Sequence, residues 1–259
     1  MGQLDGIRGR VMRPVRPGPR PEPSSEPPLL PGREVASQRW TQLAFLHWRV
    51  ESAVVAPLLP RGIHPDEHDG SSWVGLIAFH LGGATLLGSP PIPFFGSFPE
   101  INVRLYGVDD AGRRGVVFLS LEASRLSAVL AARAAFSIPY FWSRTGMVID
   151  GELATYTARR HVGSGQTLLG VRGGGNAVVD DPTADFLTAR WGLYTSRFGR
   201  TVFLPNTHER WELETAELVA LEDSLLEVAG FPGVASRAPD SVLVSAGVTA
   251  RFSSALPVP

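Results

Sequence analysis

The sequence predicts an α+β fold, a mainly antiparallel, barrel-like β domain with short helices at its edges. Short runs that alternate apolar and polar side chains recur along the chain, as in EINVRLY at 100–106, and period two marks a strand. Turn residues punctuate these runs, notably Asp69-Gly70 and Asp109-Asp-Ala-Gly112, the latter placed as a hairpin loop. Helical spacing is confined to a few brief stretches, and many strands with few helices argue for a barrel or sandwich. With 259 residues, 44% of them hydrophobic, the chain can bury one large core.

The elements follow in order. Residues 1–37 hold eight prolines and six arginines with little apolar periodicity, and so are expected to form a disordered tail ahead of a single domain over 38–259. A strand or short helix begins the domain at 43–50, a turn follows at 58–62, and 73–81 is a strand. The Gly- and Pro-rich stretch 82–99 carries Phe94, Phe95 and Phe98, an apolar loop expected to lid a pocket or cover an interface. Strand 100–106 then pairs through its hairpin with 116–122, where alternation puts Val116, Phe118, Ser120 and Glu122 on one face. Ser124 is the expected N-cap of a helix over 126–136, which Pro139 stops. Further strands are expected at 147–149, 153–159, 166–172, 201–204, 208–215 and 241–252, with helices at the start of 184–194 and over 221–229.

Composition excludes several chemistries. A net charge of −1 gives no basic field, so neither nucleic acid nor an anionic membrane is an expected partner. All 24 basic residues are arginine, which removes a side-chain Schiff base, lysine-bound pyridoxal phosphate and a P-loop lysine. No cysteine is present, so disulfides, thiolate nucleophiles and cysteine zinc sites fall as well. No apolar run approaches the roughly 20 residues of a membrane helix and no secretory leader is evident. The expectation is a cytoplasmic protein without cofactor.

The polar face of 100–106 carries the candidate site: Glu100, Asn102, Arg104 and Tyr106 lie on one side, Ile101, Val103 and Leu105 on the other. Glu100 and Arg104 stand about 13 Å apart along a strand, suited to the two ends of a site. An arginine clamps a carboxylate or phosphate, and a carboxylate nearby serves as acid or base. Tyr140, approached through Pro139, is the second catalytic candidate, while Arg133 and His208 are candidate substrate-binding residues. The rival reading is an ion-pair ladder of Glu100 and Arg104 with Arg125, Arg133 or Glu122 on the wall, or a solvated outer face. No metal site is expected: Pro65 breaks the run His64 to Asp69, which reads as a solvated loop, and His47, His80 and His161 are isolated.

Taken in order, FLHW at 45–48, LLP at 58–60, FPEINVR at 98–104, GVVFLSL at 115–121, Ala132-Arg133, IPY at 138–140, FLT at 186–188 and HERW at 208–211 resemble the YqjF-like family of uncharacterised bacterial proteins. That family is similar in fold to acetoacetate decarboxylase, which implies a barrel-like α+β domain around a pocket, assembled into oligomers. In the decarboxylase pattern a proline is followed by two lysines, one of which forms the Schiff base; Pro139 matches the proline, Arg133 the motif arginine, and Tyr140 and Phe141 stand where the lysines would be. The resemblance also sets Glu100 against a pocket glutamate. It therefore implies scaffold and pocket without the decarboxylase's carbonyl-capturing group. The expected function is a small-molecule pocket, enzymatic by lyase- or isomerase-like acid/base chemistry on an oxo or carboxylate compound, or alternatively a non-enzymatic ligand-binding or interaction domain.

Overall fold

The computed structural model describes residues 24–91 and 96–258. Its strands are β1 (Glu34–Val50), β2 (Ile63–Pro65), β3 (Ser72–Leu86), β4 (Phe98–Asp109), β5 (Arg114–Ala123), β6 (Tyr140–Asp150), β7 (Leu153–Arg160), β8 (Gln166–Arg172), β9 (Gly192–Arg197), β10 (Arg200–Thr207), β11 (Glu214–Thr215), β12 (Glu217–Asp223), β13 (Ser241–Ser253) and β14 (Leu256–Pro257). The helices are α1 (Ser52–Val55), α2 (Leu126–Phe136), α3 (Pro182–Thr188) and α4 (Leu225–Val228).

Hydrogen bonding runs β5-β9-β10-β13-β1-β3-β4, and β4 pairs again with β5, so seven strands close a barrel-like ring. Within it only β5 and β9 are parallel. From β5 the sheet also continues through β6, β7, β8 and β12, a flap that leaves the ring. The entry into the flap is a strand-helix-strand crossover: α2 ends where Ser137 takes a left-handed φ of 55°, and β6 then runs parallel to β5 with Tyr140 opposite Leu121.

The expected antiparallel pairing of 100–106 with 116–122 is present. Both faces of β4 are buried. Ile101, Val103 and Leu105 pack with Ala44, Leu46 and Trp48 against Tyr156, Leu169 and Val171 of the flap and Leu225 and Leu226 of α4, while the other face turns into the ring.

Two bulges decide what the ring encloses. In β5 the partner of Val103 is Ser120 and that of Arg104 is Phe118, so Leu119 is an extra residue. Side chains after it swap faces: Phe118 and Leu121 both point inward, and Glu122, expected beside Phe118, is outside, bonded to Arg160 at 2.7 Å and to Ser143 at 2.5 Å. In β1 the register shifts between Thr41 and Ala44, Gln42 has φ 52°, and Trp40, Leu43 and Phe45 all reach the interior. Gly247 accommodates the kink from β13, where a Cβ would sit 2.1 Å from the Trp40 carbonyl.

Several element boundaries differ from expectation. The first strand starts at Glu34, ahead of the anticipated boundary at 38, and the segment before it is tied by Trp191 Nε1 donating to the Ser24 carbonyl and Thr207 Oγ1 to that of Pro28. Residues 1–23 of the expected tail, and Phe94 and Phe95 of the expected cover, lie outside the described residues; Phe98 is buried as the first residue of β4. Arg125 rather than Ser124 takes the N-cap of α2. Residues 217–223 form an edge strand on β8, so the helix expected at 221–229 shrinks to α4; pairing with a neighbour overrides local helical spacing. The strand expected at 208–215 is reduced to Glu214–Thr215, because the chain leaves β10 at Thr207 to turn His208 and Trp211 toward the ring. Asp66, expected in a solvated loop, is buried between Arg190 and Arg114.

Candidate functional site

The ring encloses a cavity of about 170 Å³ to which all seven of its strands contribute side chains, with α2 contributing Ala132 and Phe136. Aliphatic and aromatic side chains together make up most of the wall, with a smaller set of polar ones among them, the usual composition of a small-molecule site.

Glu100 is 2% exposed and lines the cavity from β4. Tyr140 Oη donates to its Oε2 at 2.7 Å and Asn102 Nδ2 approaches Oε1 at 3.4 Å, but no salt bridge reaches it among the described residues. Loss of water outweighs these bonds and, helped by the charge on Glu122, raises its pKa from 4.5 to about 7. The carboxyl is thus poised to gain or release a proton near neutrality. The Tyr140 phenol is held well above its ordinary pKa by burial and by Glu100. Since its single proton is committed to Glu100, Tyr140 holds the carboxyl in place.

At the other end of the strand face, Arg104 Nε donates to Tyr106 Oη at 3.0 Å and Nη2 to the Leu187 carbonyl at 2.9 Å. The Tyr106 hydroxyl, which accepts from Arg104, is also hydrogen-bonded to His47 Nε2 at 2.6 Å. Burial first, then Arg104 and Arg190, hold His47 well below its ordinary pKa, so the ring is neutral. His47 therefore anchors Arg104 through Tyr106, a role its isolation in sequence did not suggest.

Arg190, in the link from α3 to β9, also lines the cavity. Its Nη1 donates to Asp66 at 2.5 Å and its Nε to the Phe186 carbonyl at 2.7 Å, while Nη2 has no hydrogen-bond partner among the described residues. The guanidinium lies 4.8 Å from the Tyr106 ring centroid, and that of Arg104 lies 5.4 Å from the same ring. His208 donates Nδ1–H to the Glu209 carbonyl at 2.7 Å, and burial lowers its pKa, so Nε2 carries a lone pair. Asn102 and Asn206, which line the same wall, each keep a buried side-chain amide oxygen without a hydrogen-bond partner among the described residues.

Of the residues singled out in the sequence, Glu100, Arg104, Tyr140 and His208 meet at one cavity. Arg133 does not: it is exposed on α2 and faces the ring of Phe141 at 5.9 Å, where Arg160 stacks at 3.6 Å. As for the ladder alternative, the hydrogen bonds given for Glu100 are to a phenol and an amide, and Glu122 is paired with Arg160. Arg190, Asn206 and His47 went unrecognised because their partners are distant in sequence, Asp66 being 124 positions from Arg190.

Comparison with known proteins agrees with this architecture. The acetoacetate decarboxylase-like enzyme of Sphingomonas wittichii RW1 superposes with a TM-score of 0.63 at 13% identity, covering 88% of this chain and 94% of that one. Acetoacetate decarboxylase from Legionella pneumophila gives 0.58 at 11% identity, with 85% of each chain covered. The enduracididine biosynthesis enzyme MppR complexed with pyruvate gives 0.58 at 12%, covering 88% and 92%. In sequence, the uncharacterized protein YqjF of Bacillus subtilis (strain 168) is 29% identical over 186 residues, 71% of this chain and 76% of its own. The model of an uncharacterized conserved protein family, DUF2071, matches residues 37–249, and with that span the chain belongs to the DUF2071 family, on an acetoacetate decarboxylase-like fold.

Proposed function

We propose that this protein binds a compact oxo carboxylate in the ring cavity and moves a proton on it without covalent capture. The observation that carries the reading is Glu100: a buried carboxyl with a pKa near 7, held by Tyr140, on the wall that also presents Arg104 and Arg190. An acid/base group works best with its pKa near the ambient pH. The arginines supply positive charge for the carboxylate and for the oxygen of an enolate. The Glu100 carboxylate takes a proton from the carbon beside the carbonyl, the C–H electron pair moves into the new C=C bond, and the carbonyl π pair goes to oxygen; returning the proton at either position completes an isomerase-like cycle. The fold neighbour MppR, complexed with pyruvate, supports an oxo acid as the ligand class. No lysine exists to form an imine, and Tyr140 and Phe141 stand where the decarboxylase pattern has its lysines.

Deuterium exchange at the carbon next to the carbonyl of 2-oxo acids, followed by proton NMR in heavy water, tests this. Exchange should be accelerated by the wild-type chain, rise with pH around a midpoint near 7 and fall at least a hundredfold in Glu100→Gln, the typical scale of a lost acid/base group. Exchange unaltered in Glu100→Gln would overturn the reading.

A further inference from the structure

The charges around the cavity do not cancel. Arg190 and Arg114 share one carboxylate, Asp66, at 2.5 and 3.6 Å, and Arg104 has no carboxylate partner among the described residues. His47 and His208 are neutral, and Glu100 is uncharged for much of its population at neutral pH. A buried excess of positive charge is costly unless an anion enters. Arg190 lines the cavity and is 4% exposed, and its buried Nη2 has no hydrogen-bond partner among the described residues.

Beside the arginines lies an aromatic cage. Trp40 and Trp211 are stacked at 6.4 Å, Phe79, His208 and Phe252 ring Trp40 at about 6 Å, and Phe45 closes edge-on against Trp211 at 5.3 Å. Phe45 is also where the two regions meet, since the Arg104 guanidinium lies 5.8 Å from its centroid. The indole N–H groups are satisfied within the protein, by Gln38 and by the Thr188 carbonyl, so the faces they leave are apolar. A cavity of about 170 Å³ is of the size that holds one benzene ring, roughly 150 Å³ in a cavity of known occupancy.

From this geometry we infer that the ligand is an aryl carboxylate of one ring, its carboxylate against Arg104 and Arg190 and its ring in the cage of Trp40, Phe45 and Trp211. The inference rests on the oxo-acid reading above and narrows it: a bare short-chain oxo acid would satisfy the arginines and leave the aromatic cage empty.

Isothermal titration of the full chain at neutral pH with three matched probes tests it. Phenylpyruvate carries ring, carbonyl and carboxylate, pyruvate lacks the ring, and phenylacetone lacks the carboxylate. Phenylpyruvate should bind at least tenfold more tightly than either. Arg104→Met should abolish its advantage over phenylacetone without changing phenylacetone's own affinity, and Trp211→Leu should abolish its advantage over pyruvate. The wild-type series decides the matter even if a variant fails to fold. Pyruvate binding as tightly as phenylpyruvate would overturn the aryl assignment and leave the oxo-acid reading standing. Equal binding of phenylacetone would overturn the arginine clamp, and no binding of either acid would end both readings.

Discussion

At Glu100 burial removes the water that would stabilise a carboxylate, and two neutral hydrogen bonds do not replace it. The folded chain therefore keeps a proton that the unfolded chain gives up in the ordinary carboxylate range. Because the folded pKa is the raised one, the stability associated with Glu100 is fully present below about 4.5 and is lost as the pH rises through about 7. A shift from 4.5 to about 7 corresponds to about 3 kcal/mol at 1.36 kcal/mol per pH unit. Denaturant melts across that range should show wild type losing up to about this amount relative to Glu100→Gln. His47 acts in the opposite sense, its lowered pKa adding stability as the pH climbs through 6.5, and it cancels in the comparison because both chains contain it. Parallel pH profiles for the two chains would show that the carboxyl is not buried as described. The polar face of β4 was legible from strict alternation, whereas Arg190 was not, since nothing local distinguishes it from any other arginine near a helix end.

At the level of elements, each bulge inserts one residue and reverses which side chains the rest of the strand sends inward. This is why Glu122, expected on one face with Phe118, is instead a structural group on the other: its carboxylate lies against Arg160, whose side chain is 10% exposed and stacked on Phe141. Glu122→Ala strands a buried guanidinium and should cost about 3–5 kcal/mol in a denaturant melt. Binding of carboxylate probes should be unchanged in that variant wherever it remains folded, because Glu122 does not line the cavity. Loss of binding with full stability would place Glu122 in the site. Alternation alone cannot foresee a bulge, since the extra residue, Leu119, carries no sequence mark; β1 gives a similar lesson, where only Gly247 opposite the kink betrays it.

At the scale of the whole molecule, closure of the ring converts a wall of one strand into a chamber, and the N-terminal segment contributes at its rim. Hydrogen bonds join Ser24 and Pro28 to Trp191 and Thr207, and Trp191 lies 4.6 Å from the ring of His208. Removal of residues 1–23, which are rich in proline and arginine, should leave the melting temperature nearly unchanged, because that composition has little apolar surface to contribute. Removal through residue 37 cuts four residues from β1 and should lower it clearly. A calorimetric scan of both truncations checks this, and a large fall on removing 1–23 would show that those residues are docked.

The sequence by itself determined the fold class, the pairing of 100–106 with 116–122, helix α2, the lack of any lysine and the polar stripe bearing Glu100 and Arg104. These follow from periodicity, turn residues and composition, all of which act over a few neighbouring positions. Only the tertiary structure decided that both faces of β4 are buried, that Tyr140 serves Glu100, that Arg133 stays outside and that Arg190, Asp66 and His47 join the site. Those outcomes depend on ring closure and on two bulges, which bring together residues separated by 40 to 124 positions. Burial supplied by such distant neighbours, rather than any local pattern, is what carries the Glu100 carboxyl to a pKa near 7.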